Sequence, residues 1–179
     1  LRALPGRRSP AAHGQAERGS EVFLPVVDAR YPSRLRDAPD PPPWLFCRGD
    51  PQHLLRPVVA IVGSRRASRA GIQAATSIAA SLIRSGYTVC SGLALGIDAA
   101  AHRGALDASD GVGATTVAVL ASGLDRPSPA AHSALARRIA DSGCLVSELP
   151  PGTRPHRGRF PQRNRIISGL ADASIIVEA

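Results

Sequence analysis

The chain has 179 residues, 44% hydrophobic and 3% aromatic, and 22 basic residues against 14 acidic ones give a formal charge of +8. This size and apolar content suit one α/β core; no stretch approaches the ~20 apolar residues of a membrane span, and residues 1–20 lack a secretory hydrophobic region. Every basic residue is arginine, an excess that GC-rich coding also produces, so the placement of the arginines must carry any argument for an anionic partner.

In chain order, residues 1–20 are rich in Arg, Gly, Pro and Ala without periodicity and read as disordered or a linker. Residues 21–28 suit a short strand, a proline-rich stretch fills 31–43, and WLFCRGD suits a strand and turn. Residues 21–56 are thus expected as a lead-in segment packing on a main sheet. From Pro57 to residue 179 the pattern is regular. Residues 58–62 are a continuous apolar run, the mark of a strand buried on both faces. Residues 68–85 keep helical spacing through Ile72, Ala75, Ala79, Leu82 and Ile83, with Gly86 as the C-cap. Strands are predicted at 87–90, 115–120, 144–149 and 174–177. Helices are predicted at 97–106, at 130–141 closed by Gly143, and at 162–170 after a loop over 150–161. The alternation predicts a doubly wound, mainly parallel α/β sheet, and an apolar strand at the very end of the chain predicts that the sheet is incomplete at its C-terminus. Cys47, Cys90 and Cys144 are odd in number and match no zinc spacing; they read as reduced core residues, with neither metal nor cofactor expected.

Ligands of such sheets bind beyond the carboxyl ends of the strands. Gly63-Ser64-Arg65-Arg66 stands at the first of these ends, before a helix. Glycine admits a phosphate to the backbone, Ser64 and the free helix N–H groups donate to it, and the arginines add charge. An ordinary turn with solvated arginines is the competing reading. Ser91-Gly92 to Gly96 is a second glycine-bearing turn whose spacing is not that of a dinucleotide fingerprint, and GVGATT precedes a strand and reads as a plain loop. Asp98 lies in the first turn of its helix, where a carboxylate is favourable. His102, four residues on, shares its face and is a candidate partner; capping and packing explain the two residues as well.

The strongest local signal is the span between Glu148 and Asp172, which holds Arg154, Arg157, Arg159, Arg163 and Arg165 and no acidic residue. Arg163 falls on the helical face of Ile167 and Leu170. That spacing holds it at the end of a buried face, aimed at the carboxyl edge of the sheet, where it needs an anion; Arg165 points further outward and continues a phosphate track. A solvated basic loop, or an Arg163 paired with Glu148 or Asp98, stays open. Glu148 and Asp98 both sit near this edge, and two carboxylates beside a phosphate site are in principle able to do hydrolytic acid–base work; there is no nucleophilic triad or Walker loop. So few aromatics put any nucleic-acid binding on phosphates rather than on many stacking platforms.

The stretches YPSRLRDAPDPPPWLFCRGD, VAIVGSRRAS, SGLALGIDAAAHRGAL, TVAVLASGLD, SELPPGTRPHRGRFPQRNRIISGL and IIVEA occur in this order. Together they resemble the DprA/Smf family of DNA-processing proteins from about residue 21 to the end, SGLALGIDAAAHRGAL and FPQRNRIISGL being the specific motifs. The resemblance implies an extended Rossmann-like fold, a cytoplasmic location without a membrane partner, and non-catalytic binding of single-stranded DNA. It also implies loading of the RecA recombinase in natural transformation, and a homodimer in the full-length protein. By motif it implies DNA contacts at Gly63, Ser64, Arg65, Gly92, Phe160, Arg163, Asn164 and Arg165. Asp98, His102, Glu148, Arg157 and Arg159 would support them. Phe160 would be the single stacking platform, a core plug being its other reading.

There are departures. Ala70-Gly71 stands where the family has Tyr-Gly, and Ser128-Pro129 where it has Tyr-Pro. A basic position before FPxRNR is spread over Arg157 and Arg159. In the family the SGSL-type loop, the closing strands and any winged-helix domain, with their part in self-association and RecA contact, come after the position of residue 179. The enzymatic alternative is a nucleotide phosphoribohydrolase of the lysine-decarboxylase-like Rossmann group; it calls for a PGGxGT-type loop with a glutamate, which the chain does not show.

Overall fold

The apolar runs become strands of one sheet. The structure is a computed structural model and describes residues 21–110, 113 and 115–178; the expected linker at 1–20 and part of the GVGATT loop lie outside the described residues. The strands are β1 (Glu21–Pro25), β2 (Trp44–Gly49), β3 (Val58–Gly63), β4 (Thr88–Ser91), β5 (Thr116–Val119), β6 (Cys144–Ser147) and β7 (Ala173–Val177). The helices are α1 (Ser33–Arg36), α2 (Arg69–Arg84), α3 (Ile97–Ala108), α4 (Ser133–Ser142) and α5 (Arg159–Leu170).

The strand order is β1-β2-β6-β5-β4-β3-β7. From β3 to β6 the chain steps one way through α2, α3 and α4, and α5 then carries it back to set β7 beside β3. All pairings among β3, β4, β5, β6 and β7 are parallel. The lead-in segment does more than pack on the sheet: β2 joins β6, and β1 joins β2, both antiparallel. The result is a mixed α/β sheet of Rossmann-like form.

Period-2 alternation sends successive side chains of each strand to opposite faces. Ile61 and Val89 meet Ala75, Ala79 and Ile83 of α2 and Ala101 and Ala105 of α3 on one face. Ala118 and Leu145 continue that face under Leu135 and Ile139 of α4. On the other face Ala60, Cys90, Val119 and Val146 pack against Ile166, Ile167 and Leu170 of α5 and Leu35 of α1. All three cysteines are buried as free thiols. Among the described residues no helix is long and apolar enough to cross a membrane.

Among the boundaries that differ from expectation are the starts of two helices. α5 begins at Arg159 rather than at 162 and holds Pro161 in its first turn, where a missing N–H costs nothing because the first N–H groups of a helix have no partner within it. The helix expected at 130–141 opens as a 3-10 turn, Ala130–His132, before α4 starts at Ser133.

Candidate nucleic-acid interface

The order of strands reverses between β3 and β7, and Gly63 pairs there with Val177. A Cβ on Gly63 would overlap the Val177 carbonyl oxygen and stand 2.9 Å from Ile97 Cγ1. This glycine is therefore required by the close approach of β7 and α3, a different reason from the phosphate contact expected of it. Ser64 is likewise engaged: its N–H donates to Glu178 O at 2.7 Å, and its Oγ accepts from the Arg66 N–H at 3.1 Å.

The N-terminus of α2 holds the main correction. Its N-cap, Ser68, accepts from the Gly71 N–H, and the Glu178 carboxylate accepts from both the Ser68 N–H and the Ser68 hydroxyl. Those hydrogen bonds, the hydroxyl's first, hold Glu178 below the usual carboxylate range. The helix end where a phosphate was expected is thus filled by the chain's own carboxylate, in the place where the helix dipole favours an anion. Sequence reasoning missed Ser68 and Glu178. Ser68 was legible as an N-cap; nothing local connects it to the residue after β7.

The turn after β4 is clamped from two sides. Asp98 Oδ2 accepts from the Gly92 N–H at 3.1 Å and the Ala94 N–H at 3.2 Å. At the other backbone group of the same residue, Arg163 Nη1 donates to Gly92 O at 2.6 Å and also to Val119 O. A Cβ on Gly92 would fall inside the Arg163 guanidinium. Burial raises the Asp98 carboxyl, against the pull of the Ala94 and Gly92 N–H groups and of Arg163. Burial lowers Arg163, against the stabilising field of Asp98. Arg163 lies with Ile166, Ile167 and Leu170 on the buried face of α5, as its spacing predicts. The anion it needs is supplied in part by Asp98, and backbone carbonyls take its hydrogen bonds.

The expected pairing of Asp98 with His102 does not form. His102 is buried and its Nδ1 lies 2.7 Å from Thr116 Oγ1. The Thr116 hydroxyl donates to Val89 O, so the His102 Nδ1 carries the proton and donates to threonine. Burial, with the field of Arg163, pushes its pKa down to about 3. His102 is a neutral core residue and does not reach the rim.

Between β3 and α5 an open groove of about 220 Å³ is lined by Gly63, Arg65, Asp98, Arg163, Asn164 and Ser168, among others. Arg65 is exposed, and its guanidinium lies 5.2 Å from the centroid of the half-buried Phe160 ring. Asn164 is exposed and its Oδ1 accepts from Arg163 Nε at 3.2 Å. Ser168, one turn on from Asn164, was not singled out from the sequence, although their i, i+4 spacing puts the two on one helix face.

Arg165 and Glu148 lie on the other flank of α5. Arg165 is paired with Glu148 and, at 3.0 Å, with Asp40, and these residues line a separate hollow with Trp44 and Gln162. Arg165 therefore does not continue the groove as a free cation. The hydrolytic pairing of Glu148 with Asp98 is not formed either, since the two line different hollows. Arg157 is exposed, and Arg159 donates to Arg154 O at 2.6 Å; both belong to the stretch at the start of α5. Among the described residues no cluster of His, Cys, Asp and Glu has metal-binding geometry.

A family model described as DNA recombination-mediator protein A matches residues 22–179. Protein Smf of Synechocystis sp. is 42% identical over 161 residues, which are 88% of this chain and 39% of that protein. A crystal structure of DNA processing protein A from Streptococcus pneumoniae superposes with a TM-score of 0.82 at 38% identity, covering 88% of this chain and 54% of that one. DNA processing protein A from Helicobacter pylori, solved for its single-stranded DNA binding mode, gives a TM-score of 0.77 at 30% identity, covering 88% of this chain and 69% of that one. The chain spans between 30% and 53% of the length of the curated relatives it matches.

Proposed function

Because the chain belongs to the DNA recombination-mediator protein A family, we propose that it binds single-stranded DNA through the phosphate backbone, as a binding protein rather than an enzyme. The observation that carries this reading is the groove beside α5, where the exposed Arg65 stands over Phe160 next to the exposed Asn164. An exposed guanidinium grips phosphate in bidentate geometry, an aromatic ring takes a base, and an amide side chain supplies both donors and acceptors. The family resemblance adds delivery of the bound strand to the RecA recombinase in natural transformation, within a cytoplasmic protein that dimerises at full length. Support for those parts is the kinship alone.

A salt titration of oligo(dT) binding tests the central claim. Neutralising about four to six phosphates gives a log–log slope of roughly −3 to −4 for a single strand. A flat response would rule out backbone gripping.

A further inference from the structure

Among one Trp, two Tyr and three Phe in the chain, Phe23, Trp44 and Phe46 gather on one face of the outer β1–β2 pair. Phe23 stands opposite Phe46 and Pro25 opposite Trp44, with ring centroids 5.4 Å apart for Phe23 and Phe46 and 6.3 Å for Phe23 and Trp44. Phe23 is 52% exposed and Trp44 41%. Large rings left together in water mark a contact surface.

The position of Trp44 says what that contact is with. β2 runs antiparallel to β6, so Trp44, its first residue, lies at the carboxyl rim of the sheet, and its indole N–H donates to Glu148 O at 3.0 Å. It lines the hollow that also holds Gln162 and Arg165 of α5, whereas Arg163 and Asn164 of the same helix line the groove. The first turns of α5 thus divide two hollows on one rim. The loop that leads into α5 carries the exposed Arg154 and Arg157 and no carboxylate. Arg165 pairs with both carboxylates beside Trp44, which weakens their repulsion of a phosphate. Four strand spacings separate β3 from β2, roughly 19 Å, a span within the reach of a single-strand site of up to about 16 nucleotides.

We propose that Trp44 and Phe23, backed by the half-buried Phe46 that packs on the core beneath them, form a second base-stacking platform for the same single strand that the Arg65–Asn164 groove holds. The inference rests on the proposed function and extends its path across the rim. Flat aromatic faces accept any base, so this platform lengthens the binding site without adding sequence preference.

Trp44 is the sole tryptophan, so its emission reports on this face alone. End-labelled oligo(dT) of about four and about sixteen nucleotides, the range of single-strand site sizes, is titrated onto the whole chain by anisotropy and by tryptophan emission. Both oligomers bind; only the longer quenches Trp44. Trp44→Ala weakens the longer oligomer by roughly 5- to 150-fold, the range for one stacking ring, and leaves the shorter one unchanged. Phe23→Ala, which keeps the fluorophore, weakens the longer oligomer too, and native circular dichroism of both variants separates this effect from misfolding. Unchanged affinity for the longer oligomer in both folded variants, or equal quenching by the two lengths, would overturn the inference while leaving the groove intact. So would a dimer in sedimentation that Phe23→Ala dissolves without altering DNA affinity, since the face then belongs to a second copy. If neither oligomer binds, the groove reading and this inference fail together.

Discussion

Arg163 and Gly92 are fitted to one another: the guanidinium donates to the Gly92 carbonyl oxygen at 2.6 Å and fills the space where any Cβ on residue 92 would stand. The same guanidinium bonds Val119 O, so its retreat breaks two buried hydrogen bonds. Gly92→Ala is therefore expected to lower stability by about 1–3 kcal/mol, the usual cost of overpacking. Urea denaturation measures it, and an unchanged midpoint would mean that the guanidinium yields easily.

Arg65 has the opposite character. It is exposed, and its contact with Phe160 is worth about 0.5–1 kcal/mol at such a site, so Arg65→Ala should leave the fold almost untouched. Affinity for single-stranded DNA should fall equally for all sequences, because phosphates carry no sequence information. The salt slope should become shallower by about 0.7, one phosphate fewer. Sequence-dependent losses would assign Arg65 to base contacts instead.

His102 makes stability depend on pH. Its folded pKa of about 3 lies below the unfolded value of 6.5, so between those values the unfolded chain binds the extra proton. The neutral ring's contribution is complete above pH 6.5 and is lost as pH falls towards 3. From pH 6.5 to pH 5 this amounts to about 2 kcal/mol at ~1.4 kcal/mol per unit. Chemical denaturation at the two pH values, compared with His102→Asn, isolates the effect; equal pH dependence in both proteins would contradict the assignment.

Glu178 titrates in the opposite sense. The Ser68 hydroxyl and N–H groups hold its carboxyl below the ordinary value of 4.5, so its contribution is present above pH 4.5 and fades as pH falls through the lowered folded value. Glu178→Gln should melt earlier than the parent at pH 7, and the gap in Tm should close in acid. A gap that persists there would mean that the side chain acts by packing rather than charge.

Much of this was legible residue by residue. Arg163 at helical spacing from Ile167 and Leu170 was placed on a buried face at the sheet's edge, and it is there. Phe160 was left between a stacking platform and a core plug; it is half-buried under Arg65. Arg165 was read as an outward cation because nothing nearby in sequence opposes it, yet Asp40 and Glu148 both reach it. Asp98 and His102 share a helical face, but that face is divided: the turn after β4 takes the carboxylate, and Thr116 takes the ring.

The sequence by itself determined the elements, their buried faces and the family, since local periodicity decides which side chains leave water and short motifs are contiguous. Only the tertiary structure decided how charges are partnered and which direction the outer strands run. Those outcomes depend on distances between segments far apart in the chain. The sheet order sets Glu178 on α2, Arg165 between Asp40 and Glu148, and Trp44 at the carboxyl rim. A charge pair needs a few ångströms of proximity, and no spacing along the chain encodes that across a sheet.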